Sequence, residues 1–160
     1  MPAPDIEPPI ASSDGRQSAR AREIARGTSR LLARYGLRAI AELSLANGRR
    51  ADLIAVADDG AIWIVEIKSS LEDFRADQKW PEYRDFSDRL YFAVAPDFPR
   101  EALPEDAGLI IADRYGGEIV REAPEHKLAA ARRKAVLIRF ARVAAARLMS
   151  IADPERAFEV

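Results

Sequence analysis

The stretch RRADLIAVADDGAIWIVEIKSS, Arg49 to Ser70, sets an acid, Asp52, and an acid-x-lysine triplet, Glu66-Ile67-Lys68, inside two apolar runs separated by Asp58-Asp59-Gly60. The neighbours Leu53, Ile54, Val56, Ile62, Ile64, Val65 and Ile67 read as core. Removing an unpaired carboxylate from water is expensive. Either these charges pair with one another, or something else, such as a metal ion, offsets the cost.

The two runs have strand character, and the residues on either side complete an α/β pattern. Ile24, Leu31, Leu32 and Tyr35 recur at helical spacing before the stop at Gly36, which predicts a helix from Arg16 to Tyr35, capped by Ser13 or Asp14. Three strands follow, at 38–45, 50–57 and 61–69, joined through Asn47-Gly48 and Asp59-Gly60. Leu71, Phe74 and Trp80 mark a second helix that Pro81 kinks or splits. RLYFAVA and GLIIADR read as buried strands and GEIVRE as an edge strand. Val136, Leu137, Phe140, Val143, Ala144 and Leu148 give a last helix over 125–150 its apolar face. This order indicates a mixed sheet layered with helices. Residues 14–160 are expected to form one domain behind a mobile proline-rich tail, 1–13.

Two registers are open for the charged strands. With three-residue loops, Ala46-Asn47-Gly48 and Asp58-Asp59-Gly60, Glu42 opposes Asp52 and Asp52 opposes Glu66, a row with neighbouring Cβ atoms about 4.5–5.5 Å apart. Lys68, two residues on from Glu66, then shares its face. With two-residue turns, Asp52 moves to the other face and the row scatters. Local turn chemistry does not separate the two. A row of like charges is disfavoured on a purely structural sheet, whereas a hard divalent cation turns it into a binding site. Such a site suits phosphodiester hydrolysis, with a lysine placed to neutralise charge gathering on phosphorus.

Charge is unevenly spread along the chain, although the net charge is only -1. Residues 16–38 hold seven arginines against Glu23 alone; residues 126–149 hold seven cations and no acid; residues 39–125 hold ten basic and nineteen acidic residues. Basic ends around an acidic middle fit a polyanionic partner, and equally fit solvated helix faces. The absence of cysteine removes disulfides and thiolate zinc sites. With no signal-peptide pattern and no bilayer-length apolar run, a soluble cytoplasmic protein is expected. His126 is the only histidine, which argues against histidine triads, and it is expected to open the last helix at the surface. Trp63 and Trp80 read as core, Asp73 and Asp77 as capping or pairing groups, and no phosphate-binding glycine loop is present.

In order along the chain, RAD (Arg50–Asp52), EIK (Glu66–Lys68) and a following helix with Lys79-x-x-x-Tyr83 resemble the PD-(D/E)XK nuclease superfamily. GRRADLIAVADDG, VEIKSSLEDFRADQKWPEY and DRLYFAVAPDFP resemble more closely the MmcB family of bacterial DNA-repair endonucleases, over roughly Arg26 to Pro99. The resemblance implies a restriction-endonuclease-like fold, a mixed sheet flanked by helices. It implies a metal-dependent DNA endonuclease with Asp52, Glu66 and Lys68 catalytic. Asp52 and Glu66, with Glu42 as an extra acid, would hold Mg²⁺ or Mn²⁺; in many relatives the extra acid lies on the first helix, where Glu23 is the candidate. Lys79, Tyr83, Arg50, Arg132 and Arg133 would contact DNA, and other repair proteins are conceivable partners. Ala51 stands where the motif has proline. The competing expectation is a DNA-binding or scaffold module that keeps the fold without cutting.

Overall fold

The computed structural model describes residues 18–156. The proline-rich start and the expected caps Ser13 and Asp14 lie outside the described residues. The first helix, α1 (Ala19–Arg34), is capped instead by Ser18, whose hydroxyl accepts the Ala21 N–H at 3.1 Å. It stops at Gly36, which supplies the left-handed φ of 79°. Tyr35 is 57% exposed and so stands off the buried stripe it was expected to join.

Six strands follow in one sheet: β1 (Arg38–Ser44), β2 (Arg50–Val56), β3 (Ile62–Ile67), β4 (Arg89–Val94), β5 (Gly108–Ala112) and β6 (Gly117–Arg121). Their spatial order equals their chain order. The β3–β4 and β4–β5 pairs are parallel and the other three antiparallel, giving the mixed sheet expected. The layer α1 covers one face, over Leu53, Ala55, Val65, Tyr91 and Ile110. The opposite face carries the last helix, α3 (Ala130–Ala152), over Ile54, Ile62, Ile64 and Leu90. Next to it, Leu71, Phe74 and Trp80 cover Phe92, Val94 and Leu109. Both tryptophans pack as expected: Trp63 stacks on Tyr91 with centroids 5.0 Å apart, and Trp80 meets Phe92 edge-on at 5.2 Å.

Two helices depart from expectation. The segment predicted as one kinked helix breaks before Pro81: α2 (Leu71–Ala76) ends, Asp77 turns extended, and a 3-10 helix runs Trp80–Phe86 with Pro81 in its first turn. The last helix begins at Ala130, because Asp88 holds the preceding segment extended. The Asp88 carbonyl accepts the His126 N–H at 2.7 Å, and its Oδ1 accepts the Leu128 N–H at 2.9 Å. His126 thus lies ahead of the helix. No apolar side chain of α3 is buried after Ala146, and Leu148 is 67% exposed.

The crossing of α1 over the β5–β6 turn is closed at Gly27, where an added Cβ would sit 1.8 Å from the Asp113 carbonyl oxygen and 2.6 Å from that of Gly116. Neither backbone group can rotate away, so the helix itself must move. Gly27→Ala is expected to lower the unfolding free energy by about 1–3 kcal/mol in urea titration, despite the better helix propensity of alanine. Unchanged stability would show that the crossing is looser than drawn.

Candidate active site

Both hairpins adopt the three-residue loops. Gly48 and Gly60 take φ of 82° and 89°, and the Gly60 N–H donates to the Ala57 carbonyl at 3.0 Å. Leu53 then pairs with Val65 and Ile54 with Ile64, so the next step in register sets Asp52 opposite Glu66. Backbone pairing stops there. The Asp52 N–H donates to Glu66 Oε1 at 3.1 Å and the Ile67 N–H donates to Asp52 Oδ2 at 2.8 Å, so each acid takes up a bond that the sheet would otherwise close. Glu66 and Lys68 continue the alternation of Ile62 and Ile64, facing the α2 and α3 side.

Burial governs the electrostatics. Glu66 is 3% exposed; desolvation, then the charge of Asp52, pushes its carboxyl well above the ordinary glutamate range. Burial also raises Asp52, against the lowering effect of the Ile67 N–H and the hydrogen bond to Glu66. Two acids placed together this way each disfavour the other's ionisation, a cost that a cation between them would relieve. Lys68, 5% exposed, does not neutralise them directly: its Nζ donates to Asp77 Oδ2 at 2.8 Å. Burial works against the lysine's charge, but the bond to Asp77 and the acids around it outweigh burial and raise its pKa.

The expected row of three acids is a pair. Glu42 does stand opposite Asp52 by register, between the pairs Ala41–Leu53 and Leu43–Ala51, but it adopts φ 54° and is skipped by the ladder. This left-handed residue reverses the alternation of β1: Ala39 and Ala41 face the α1 side, Leu43 and Leu45 the α3 side. Arg147 caps the distortion by donating to the Ala41 and Glu42 carbonyls. Among the described residues, no three acidic or histidine side chains gather as a metal-holding group. Glu23 lies exposed on α1, beside Arg20, Ala95 and Asp113 on the other face of the sheet.

Two expected DNA contacts, Tyr83 and Arg133, are used inside the protein. Tyr83 is buried and donates its hydroxyl to the Arg50 carbonyl at 2.9 Å; burial, then the charges of Glu66 and Asp52, raises its pKa. Lys79 caps the 3-10 helix, so its i+4 spacing to Tyr83 does not bring both to one helical face. Arg133 grips Asp88 through both Nη atoms, at 2.6 and 2.7 Å, and also donates to the Gly60 carbonyl. Arg132 lies over the Phe86 ring at 4.6 Å, its backbone position exposed, and Arg50 is exposed beside Asp52. Sequence reading assigned Asp77 to capping or pairing near the helix and missed Lys68 as its partner. The available signal was the lysine itself, since a buried ammonium requires an acid, and the segment that follows offers Glu72, Asp73 and Asp77.

The pair fits a hard cation by donor chemistry: Mg²⁺ characteristically takes one or two protein carboxylates and completes its shell with water and substrate phosphate. Comparison with known proteins agrees in family. The model of the family described as DNA repair protein MmcB-like matches residues 8–155. No curated protein matches the chain. A solved structure of the SPO1766 protein of unknown function from Silicibacter pomeroyi is 44% identical, covers 89% of this chain and 97% of its own, and superposes with a TM-score of 0.85. A repair endonuclease from Pyrococcus abyssi shares 14% identity over 54% of this chain and 42% of its own at a TM-score of 0.34, a likeness from which neither fold nor function follows. Among the described residues, no helix is long and apolar enough to cross a membrane.

Proposed function

From the premise that the chain belongs to the MmcB-like family of DNA repair proteins, we propose that it is a metal-dependent nuclease that hydrolyses phosphodiester bonds in DNA. The observation that carries this reading is the pair of buried Glu66 and half-buried Asp52, joined across two strands by hydrogen bonds at 3.1 and 2.8 Å. A structural core gains nothing from two mutually repelling carboxylates held out of water. Asp52 and Glu66 would hold Mg²⁺ or Mn²⁺, which supplies Lewis acidity toward the phosphate and lowers the pKa of a bound water. Asp52 and Glu66 hold their outward oxygens in place because each is tied to the other strand's backbone. Lys68 keeps a proton on Nζ and presents positive charge beside the acids, where charge accumulates during attack on phosphorus. Arg50, next in sequence to Ala51 and Asp52, and Lys79, next to the Asp77 segment, supply exposed cations for the DNA backbone.

Cleavage of a panel of single-stranded, duplex, flap and junction DNA, with matching RNA forms, tests the reading in Mg²⁺ or Mn²⁺. Asp52→Ala should be inactive. Wild-type protein that binds these substrates but cuts none would favour the non-catalytic module. Metal linkage gives a second measurement, because a cation that binds the folded pair and not the unfolded chain stabilises by about 2.7 kcal/mol at a hundredfold excess over its Kd. Asp52→Asn should lose most of the Mg²⁺-induced rise in Tm, while its apo stability holds because the amide oxygen still accepts the Ile67 N–H. Equal Mg²⁺ binding by calorimetry in this variant would remove Asp52 as a ligand.

A further inference from the structure

The ammonium of Lys68 is a buried cation whose partner is not the acid pair it shares a face with. Its Nζ lies 2.8 Å from Asp77 Oδ2, with the two side chains 6% and 23% exposed. Asp77 occupies the break between α2 and the 3-10 helix, in extended conformation, and its other oxygen accepts the Lys79 N–H at 3.0 Å. The break is pinned on both sides. Three residues before it, Phe74 meets Phe92 edge-on at 5.5 Å; three residues after it, Trp80 meets the same ring at 5.2 Å. Phe92 pairs with Glu66 across β3–β4. Arg84 lies over Trp80 at 5.1 Å and bonds Asp106 at 3.0 Å, which steadies the second support. The carboxylate of Asp77 is thus carried between two aromatic supports on the strand next to Glu66.

We propose that Asp77 is a positioning residue for the reaction: it fixes the Lys68 ammonium at a set place beside Asp52 and Glu66 and keeps it from folding onto them. The proposal rests on the nuclease reading above. A lysine on its flexible four-carbon stem has a wide reach, and left alone beside two carboxylates drawn out of water it would pair with them directly. Neutralised in that way, the acids would lose affinity for a divalent cation, and the ammonium would no longer face the scissile phosphate. Asp77 removes this option by outcompeting the acids for the ammonium with a direct charged hydrogen bond. The arrangement is local and of short range, and it uses a helix break that Pro81 alone would place four residues later.

The experiment uses the full chain with Asp77→Ala and, as a variant that retains an oxygen acceptor for the Lys79 N–H, Asp77→Asn. Mg²⁺ binding by calorimetry, without DNA, should weaken by about 10- to 100-fold in Asp77→Ala, because Lys68 then pairs with Asp52 and Glu66. Single-turnover cleavage should fall by about 10- to 100-fold, the range seen when a group orienting a site residue is removed. Asp77→Ala should add nothing further in a Lys68→Ala background, because the two act as a unit. A purely structural role predicts additive losses and a matching fall in Tm in both variants; that result would overturn the proposal, as would unchanged Mg²⁺ affinity together with an unchanged rate. If wild type cuts and the cycle is additive, only the positioning role falls. If wild type cuts nothing, the nuclease reading falls and the positioning role falls with it.

Discussion

Lys68→Ala is expected to lower single-turnover cleavage by about 10²–10³-fold while DNA affinity stays within about twofold of wild type. The magnitude is that of removing one preorganised donor from a site where charge develops. Rate and affinity should separate because the interaction strengthens only as the phosphate is attacked. The variant should fold: Lys68 is 5% exposed, and the truncation leaves an Asp77 that is 23% exposed and can reach water. Parallel loss of binding and cleavage would assign Lys68 to ground-state contact with the DNA backbone instead. Stability should not rise much either, since the ion pair that disappears is partly exposed on one side.

The second large effect concerns stability and reverses an expectation from sequence. Arg133→Ala is expected to lower the unfolding free energy by about 3–5 kcal/mol, with DNA affinity unchanged, because it strands a buried charge. Asp88 is 4% exposed and gathers four donors: both Nη atoms of Arg133, the Ile62 N–H at 2.7 Å and the Leu128 N–H at 2.9 Å. These bonds tie the start of β3, the approach to α3 and α3 itself to one carboxylate. Burial acts to raise its pKa, but Arg133 and the two backbone donors outweigh burial and lower it to about 2, from an ordinary 3.8. A depressed carboxylate pKa contributes stability that is present above the unfolded value and lost as pH falls through the folded one. The difference between wild type and variant should therefore be largest near neutral pH and shrink between pH 4 and pH 2. The neighbouring Arg132→Ala, which loses only an exposed contact with the Phe86 ring, should cost about 0.5–1 kcal/mol. Urea titrations of both variants across this range decide the matter: a loss under about 1 kcal/mol at pH 7 for Arg133→Ala would mean that Asp88 is satisfied without it.

The sequence alone determined the mixed sheet with its helices and narrowed the charged strands to two registers; the structure chose the three-residue loops, which set Asp52 opposite Glu66 with Lys68 on the same face. Strand alternation and turn glycines are local properties, legible without knowledge of anything farther away, but both loop lengths satisfy them, and the one-residue difference between the two sends Asp52 to opposite faces. The tertiary structure decided what local rules could not reach. Glu42 satisfies the same register arithmetic as Asp52, yet a left-handed backbone supported by Arg147, 105 residues away, takes it out of the row. Arg133 looked like part of a basic surface until Asp88, 45 residues earlier, claimed it. Asp77 and Lys68 are only nine residues apart, but their meeting depends on where α2 breaks, and Phe74 and Trp80 set that break by docking on Phe92. Charge on a side chain is written in the sequence; whether it faces solvent, substrate or a buried partner depends on which distant backbone and ring surfaces close around it, because pairing energy rises steeply only once water has been excluded.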